Sequence, residues 1–486
     1  MKVMFVYFNK DYRPRTLLSL SILDTILKKN GHETKIFDTS FYLDFANEHR
    51  ANLIKAGVYK DLGKLIIKPK TTSIVDDFIK EVVSFQPELI GFSYYSINED
   101  IQQALFMELK SRFPYIKVIA GGPTACASAS KCFDQKYIDM VCCGEGEDLI
   151  KIVCDKMSKG ESLSDIKGLW LHGESSAGVT NLVNINSIPT VNYESYDPIQ
   201  IYGLFDGSAY RMGHVEFTRG CPYNCSYCGS GSIRKMYADA GQLKYVRHKD
   251  PKIAVKEYKE LKEKYDLEMF YFIDGTFTAM PTRVLEELTP LYKKEVGLPF
   301  IALVHPNTIK KDTPRLLKTM GCIHVTIGIE SGDEEYRDSV LGRKMSDDQI
   351  IKSVRRLQDA GIRVSAYNMI GLPGMNREHV FKTIHLNKKA KAHTSIVGIF
   401  MPFPDNELTQ SLIQQGMLDP NNIVLKNGLT PSIEIEDMSR KEIVGLFNTF
   451  NLYVSLPKAV YPLIRILEKE NWFTIPVRRL IYKIIK

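Results

Sequence analysis

Three cysteines stand at C-x3-C-x2-C spacing in the run Thr218-Arg219-Gly220-Cys221-Pro222-Tyr223-Asn224-Cys225-Ser226-Tyr227-Cys228-Gly229. Residues 214–217 alternate polar and apolar like a strand, and Gly220 and Pro222 end that pattern. The cysteines therefore belong to the loop that leaves the strand. Three thiolates on one short loop match three corners of a [4Fe–4S] cubane, whereas ferredoxins fill all four with cysteine. The fourth iron is then open to chelate a small molecule. The alternative is a zinc site or three unrelated buried thiols. Zinc wants a fourth Cys or His at ligand spacing, and the next candidate downstream is His248.

The Arg219-Gly220-Cys221-Pro222 lead-in and the aromatic Tyr227 before the third cysteine resemble the radical S-adenosylmethionine (SAM) superfamily. That resemblance implies that the open iron binds the amino and carboxylate groups of SAM, and that Tyr227 lies near the adenine. It also implies an external electron donor, such as flavodoxin or ferredoxin, to reduce the cluster.

Repeated strand–helix units must position such a loop. Strands are expected at 269–273, 300–305, 324–328, 364–370 and 395–400, with helices at 255–265, 284–292, 349–360 and 380–389 between them. With the strand before the cysteines, about six parallel units suggest a partial (β/α)6 barrel, whose chemistry sits at the carboxyl ends of the strands. Asp274-Gly275-Thr276, Gly328-Ile329-Glu330-Ser331-Gly332 and Ile370-Gly371-Leu372-Pro373-Gly374 fall at those ends. Glycines there admit a ligand closely, and Glu330 and Ser331 can hydrogen-bond hydroxyl or amino groups. Arg343 or Lys344 is placed to pair with a carboxylate. The resemblance implies SAM contacts for Asp274, Gly275, Glu330, Ser331, Gly371 and Gly374. A plainer reading makes each glycine a turn and Glu330 a rim salt bridge. Cys322 reads as a small buried hydrophobe, and His305 as a strand-end residue facing either substrate or structure.

Residues 1–160 alternate strand and helix in the manner of a doubly wound, Rossmann-like sheet. Strands are expected at 3–8, 34–37, 87–93, 115–120 and 138–142, so 1–7 reads as a first strand rather than a leader. Residues 39–72 interrupt the pattern with one or two packing helices, and His32 reads as a surface residue at a turn. Ligands of such sheets sit beyond the carboxyl ends of the strands, here Asn9, Ser93, Gly121-Gly122 and Gly144-Glu145-Gly146. No G-x-G-x-x-G follows the first strand, which argues against a dinucleotide. The order of modules resembles cobalamin-dependent radical SAM enzymes, which implies that Ser93, Gly121, Gly122, Gly144 and Gly146 line a cobalamin site. Asn9-Lys10-Asp11-Tyr12-Arg13-Pro14 stands where many cobalamin domains carry D-x-H-x-x-G, so no histidine is available there for cobalt. The alternative is a domain that has kept the fold without cobalamin.

The expected organisation is a cobalamin-binding domain at 1–160, a connector with a hairpin of 166–172 and 179–184 at 161–210, a barrel at 211–405 and a helical region at 406–486. Composition is that of a globular chain, 44% hydrophobic and 25% charged. A net charge of +7 spread along 486 residues does not indicate nucleic acid. Nine scattered cysteines are no disulfide framework, and a cluster suits a reducing cytoplasm. The tail 476–486 is basic and apolar together, a composition for peripheral contact with an anionic membrane; the plainer reading is a packed final helix.

The implied activity is methylation of an unactivated carbon of a small molecule or lipid-like substrate. One SAM methylates cobalamin, a second yields the 5′-deoxyadenosyl radical, and the substrate radical takes the methyl group. The alternatives are a radical cyclase or rearrangement enzyme with the same two domains, or a non-catalytic cobalamin or redox sensor. The sequence assigns no catalytic side chain.

Overall fold

A computed structural model describes the chain except residues 11–13, 43–68, 128, 175–176, 405, 421–422, 424–429 and 486. The described residues form two compact units, one drawn from 1–47, 63–215 and 229–269, the other from 216–228 and 270–486.

In the first unit, six strands form one sheet: β1 (Lys2–Tyr7), β2 (Glu33–Asp38), β3 (Leu89–Ser93), β4 (Lys117–Gly121), β5 (Met140–Cys142) and β6 (Leu169–Leu171). Their order is β2-β1-β3-β4-β5-β6. β1 is an interior strand and almost wholly apolar, as burial on both faces demands. The chain reverses direction of winding between β1 and β3, which opens a crevice at their carboxyl ends. Phe37, Phe78, Phe92 and Phe106 pack one face of the sheet, and Leu20, Leu27, Leu149 and Val153 pack the other.

Several expectations change here. The helix Ile74–Phe85, capped by Ser73, fills the crossover before β3. The hairpin expected at 166–184 does not form: Leu169–Leu171 pairs antiparallel with β5 instead, and 179–184 has no strand. The open edge of β5 is the nearer partner. His32 is buried, not superficial, with its Nε2 3.3 Å from Asp155 Oδ1. The helices expected within 39–72 lie outside the described residues, as do 11–13 of the missing-histidine loop. Two further strands, β7 (Tyr202–Phe205) and β8 (Ser208–Val215), form an antiparallel hairpin, so the strand before the cysteines starts earlier than its alternation suggests.

In the second unit, β9 (Met269–Phe272), β10 (Phe300–Val304), β11 (Cys322–Glu330), β12 (Arg363–Ile370) and β13 (Thr394–Ile399) run parallel in sequence order, each paired to the next. This is an α/β half-barrel. Helices Thr313–Met320 and Glu334–Ser339, unread in the sequence, complete the crossovers on either side of β11. The helices Arg440–Ser455, Tyr461–Leu467 and Thr474–Ile485 then pack beside β13 around a core that includes Ile399, Phe400, Ile443, Leu446 and Tyr482. Among the described residues no helix is long and apolar enough to cross a membrane.

Candidate functional site

The cysteine loop is held along its whole length within the second unit. At its start the buried carboxylate of Asp274 accepts the backbone N–H groups of Phe217 (3.1 Å) and Thr218. Burial, with Glu216 adding repulsion, raises Asp274 to about 7. Cys221 Sγ lies 3.6 Å from Thr276 Oγ1, and a Cβ at Gly275 would come within 3.7 Å of the Cys221 Cβ. Tyr223 stacks on His305 with centroids 3.7 Å apart and planes 15° from parallel. Burial pushes His305 down to about 2, so the stacked imidazole is neutral. Ser226 N donates to Leu341 O (3.1 Å) and its hydroxyl to Val340 O (2.6 Å), while Leu408 N donates to Ser226 O (2.8 Å). Cys225 is buried, Cys221 half-buried and Cys228 exposed.

Arg343 organises the interior side of the loop. Its Nη1 donates to Cys225 Sγ (3.3 Å) and Tyr227 Oη (3.1 Å), and its Nη2 to Gly328 O (2.7 Å). A side chain at Gly328 would place its Cβ 2.4 Å from Glu330 Oε1 and 3.2 Å from Arg343 Nη2, so the missing Cβ is what lets acid and guanidinium approach. Glu330 itself has φ +66°, a left-handed backbone uncommon for glutamate, at a register shift between β11 and β12. Burial raises its carboxyl and Arg343 opposes that. The cation expected from the sequence to pair with a carboxylate thus touches a cysteine sulfur.

The other expected SAM residues separate in the structure. Ser331 is buried, with its Oγ accepting Asp333 N (3.2 Å) and its carbonyl accepting from Arg337. Gly371 has φ +72°, and a Cβ there would meet Ile399 and Ile443 at 3.1 and 3.3 Å, so packing and handedness require this glycine. A Cβ at Gly374 would meet open space. Cys322 is buried and donates to His324 O, as a small hydrophobe would.

In the first unit, Ser93 ends β3 and Gly121 ends β4, and Ser93 pairs with Gly121 in register. Gly122 has φ +95° and lies against Ser93, where a Cβ would fall 2.7 Å from the hydroxyl. Gly144 has φ +115° and is roofed by Thr180 and Tyr237, whose hydroxyl accepts Glu145 N (2.7 Å). Its glycine is thus required by protein packing, whereas at Gly146 a Cβ would meet only Cys142 Sγ and Leu23, at 3.8 Å. Sequence reasoning missed Tyr237, Thr180 and the Glu145–Arg247 ion pair behind this loop.

The residues fit the groups implied for them. Among the described residues no three His, Cys, Asp or Glu side chains converge on a single ion, whereas a cubane takes its thiolates from separated corners. Arg343 Nε, Thr218 Oγ1 and His305 Nε2 are buried around the loop and, among the described residues, have no hydrogen-bond partner, a donor and acceptor set suited to a polar ligand. In the first unit, the backbone at Gly121 and Gly146, where a Cβ would meet nothing closer than 3.7 Å, is open to the close approach that a nucleotide tail needs.

Comparison with known proteins bears on both units. Residues 16–153 match the B12-binding domain and residues 215–386 the radical SAM superfamily. A Pyrococcus horikoshii protein named as an uncharacterised methyltransferase is 25% identical over 76% of this chain and 79% of its own length. The anaerobic magnesium-protoporphyrin IX monomethyl ester cyclase of Rubrivivax gelatinosus is 22% identical over 87% and 76%. The fold is similar to the radical SAM methyltransferase TsrM of Kitasatospora setae, with TM-score 0.63 at 16% identity over 85% and 78%. It is also similar to the cobalamin-dependent radical SAM enzyme OxsB, with TM-score 0.67 at 15% identity over 100% and 71%. A [4Fe–4S] cluster, SAM and cobalamin are accordingly this enzyme's cofactors. With a B12-binding domain ahead of its half-barrel, the chain belongs to the cobalamin-dependent radical SAM enzymes.

Proposed function

We propose that the enzyme transfers a methyl group to an unactivated carbon of a small molecule or lipid-like substrate. The observation that carries this reading is the presence, in one chain, of a B12-binding domain and a clamped three-cysteine loop. Several relatives named as methyltransferases support it, among them TokK of Streptomyces tokunonensis and the hopanoid C-3 methylase of Methylococcus capsulatus. The bound cofactors supply the hard chemistry, an electron to cleave SAM and a cobalt-borne methyl group.

The protein's part is binding and orientation. Cys221, Cys225 and Cys228 hold three irons. Tyr227, Glu330, Gly371 and Gly374 frame the SAM site, with Asp274 and Gly275 at its methionine end. Asp274 fixes the strand end from which the loop departs, and Arg343 ties Tyr227 to Cys225. Ser331 acts from behind, through the Asp333 backbone. Ser93, Gly121, Gly122, Gly144 and Gly146 shape the strand ends that receive cobalamin. An external donor such as flavodoxin or ferredoxin supplies the reducing electron.

The experiment is turnover of the reconstituted, reduced enzyme with methyl-deuterated SAM and a small-molecule extract of its source organism. Methyl transfer predicts S-adenosylhomocysteine and 5′-deoxyadenosine formed together, with a product carrying the deuterated methyl. The cyclase relative favours a second reading, ring formation. That reading predicts 5′-deoxyadenosine with no S-adenosylhomocysteine. No SAM cleavage at all would leave the sensor.

A further inference from the structure

We propose that the C-terminal helices form a docking surface for an anionic lipid bilayer. The final helix, Thr474–Ile485, is already fixed to its domain by one face. Arg478 is buried there, donating to Leu467 O (3.0 Å) and Glu470 (2.6 Å), and the Tyr482 hydroxyl donates to Asn448 O (2.8 Å). Val477 and Ile481 pack beside them against the core. A surface helix anchored in this way normally turns a polar face outward. This one turns out Leu480 and Ile484, the latter 74% exposed, and Phe473 is exposed just before its first turn. The spacing of 476, 480 and 484 places Pro476, Leu480 and Ile484 on one stripe of the helix.

The apolar surface continues beyond that helix. Trp472, at 86% exposure, precedes Phe473, and their rings meet edge to face at 6.1 Å. On the helix Tyr461–Leu467, Leu463 and Ile466 are exposed one turn apart. An indole in water beside several free aliphatic side chains is a costly arrangement for a face with no partner.

Charge selects the partner. Between residues 458 and 484 stand six Lys or Arg and two Glu. Both acids are engaged: Glu468 with Arg377 and Tyr453, Glu470 with Arg478 and Asn448. Arg465, Lys469 and Arg479 are exposed and, among the described residues, have no carboxylate partner. Exposed apolar side chains interspersed along the chain with exposed cations complement a bilayer whose headgroups are anionic and whose interior is apolar. A tryptophan at the rim suits the headgroup boundary.

The test uses the full-chain holoenzyme, kept anaerobic, in co-sedimentation with vesicles of phosphatidylcholine alone or phosphatidylcholine with phosphatidylglycerol. Binding to the anionic vesicles is expected, weakening as salt screens the cations. Combined reversal of Arg465, Lys469 and Arg479 to Glu should weaken it on the order of a hundredfold, at about tenfold or less per charge. Leu480→Ser with Ile484→Ser should also weaken it, while iron, cobalt and SAM cleavage stay at parent levels because the sites are exposed. Trp472 emission, taken as the difference from Trp472→Phe, should shift to the blue on binding. No sedimentation, or equal sedimentation with neutral vesicles, overturns the proposal. So does a concentration-dependent dimer that the Leu480/Ile484 variant abolishes, which would assign the face to a second copy.

Discussion

Arg343 Nη1 stands 3.3 Å from the sulfur of Cys225, and its Nη2 bonds Gly328 O at the far side of the same guanidinium. One buried cation thereby links the sulfur proposed as a cluster ligand to the β11 end that carries Glu330. Hydrogen bonds and positive charge at a ligating sulfur favour the reduced cluster. Arg343→Gln should retain iron and lower the midpoint potential by on the order of 50 mV, the one-electron equivalent of about 1 kcal/mol. Paramagnetic resonance during a redox titration reads this without turnover. An unchanged potential with full iron content would remove the guanidinium from the cluster's electrostatics.

The anaerobically reconstituted chain should hold about four irons, as a [4Fe–4S] centre requires. Replacement of Cys221, Cys225 and Cys228 by Ala should abolish the cluster's visible absorption and SAM cleavage together. The six other cysteines, Cys126, Cys132, Cys142, Cys143, Cys154 and Cys322, are free thiols in the structure, and their replacement should leave iron content unchanged.

Asp274 gives a pH signature. Burial raises its folded pKa to about 7, above the unfolded carboxylate value of about 4. The stability it contributes is present below the unfolded pKa and is lost as pH rises through about 7. Asp274→Asn keeps an oxygen for the Phe217 and Thr218 N–H groups and removes the titration. The parent-minus-variant difference in melting temperature should fall between pH 5 and 8. Asp274→Ala leaves both donors unpaired and should cost roughly 2 kcal/mol or more, with poorer cluster retention.

His305 slopes the other way over the same range. Its folded pKa is pushed down to about 2 by burial, so its contribution is complete above the unfolded value of about 6.5 and is lost as pH falls below it. His305→Phe preserves a ring for Tyr223 to stack on. The parent-minus-variant difference in melting temperature should fall as the solution is acidified from pH 7 to 5, opposite in sign to the Asp274 result.

Gly122 combines a positive φ with the Ser93 hydroxyl at its missing side chain. Gly122→Val should displace Ser93 and lower cobalt per chain, with iron per chain unchanged because the cysteine loop belongs to the other unit. Retained cobalt in a folded variant would place the cobalamin tail elsewhere.

What the sequence disclosed followed the range of its signals. Cys221, Cys225 and Cys228 lie within eight residues, so their joint chemistry was legible from spacing. Strand and helix alternation disclosed both α/β units. The grip of Asp274 on Phe217 spans 57 residues and the Arg343–Cys225 bond 118, and no local pattern encodes either. The sequence marks Arg343 as a carboxylate partner; its sulfur contact depends on how β11 ends. The helix Ile74–Phe85 hid behind its β-branched Ile74, Val75, Ile79, Val82 and Val83, although Ser73 and the acidic first turn are helix starters. The helix Thr313–Met320 is only eight residues long, about two turns, too short for a repeating apolar stripe to stand out. Ser331 sits between Glu330 and Gly332, yet it turns into the core, an outcome fixed by the left-handed turn at Glu330.

The Tyr223–His305 stack has a consequence for how the enzyme matures. It joins Ser226's bonds to Val340 and Leu341 in fixing the cysteine segment through contacts that involve no metal. Ordering a loop of this length from a flexible state costs roughly 1–2 kcal/mol per residue. Here folding of the half-barrel meets that cost beforehand. A cluster forming on the three proposed ligands would therefore meet a loop already shaped by protein contacts, and little of its binding free energy would go into arranging the peptide.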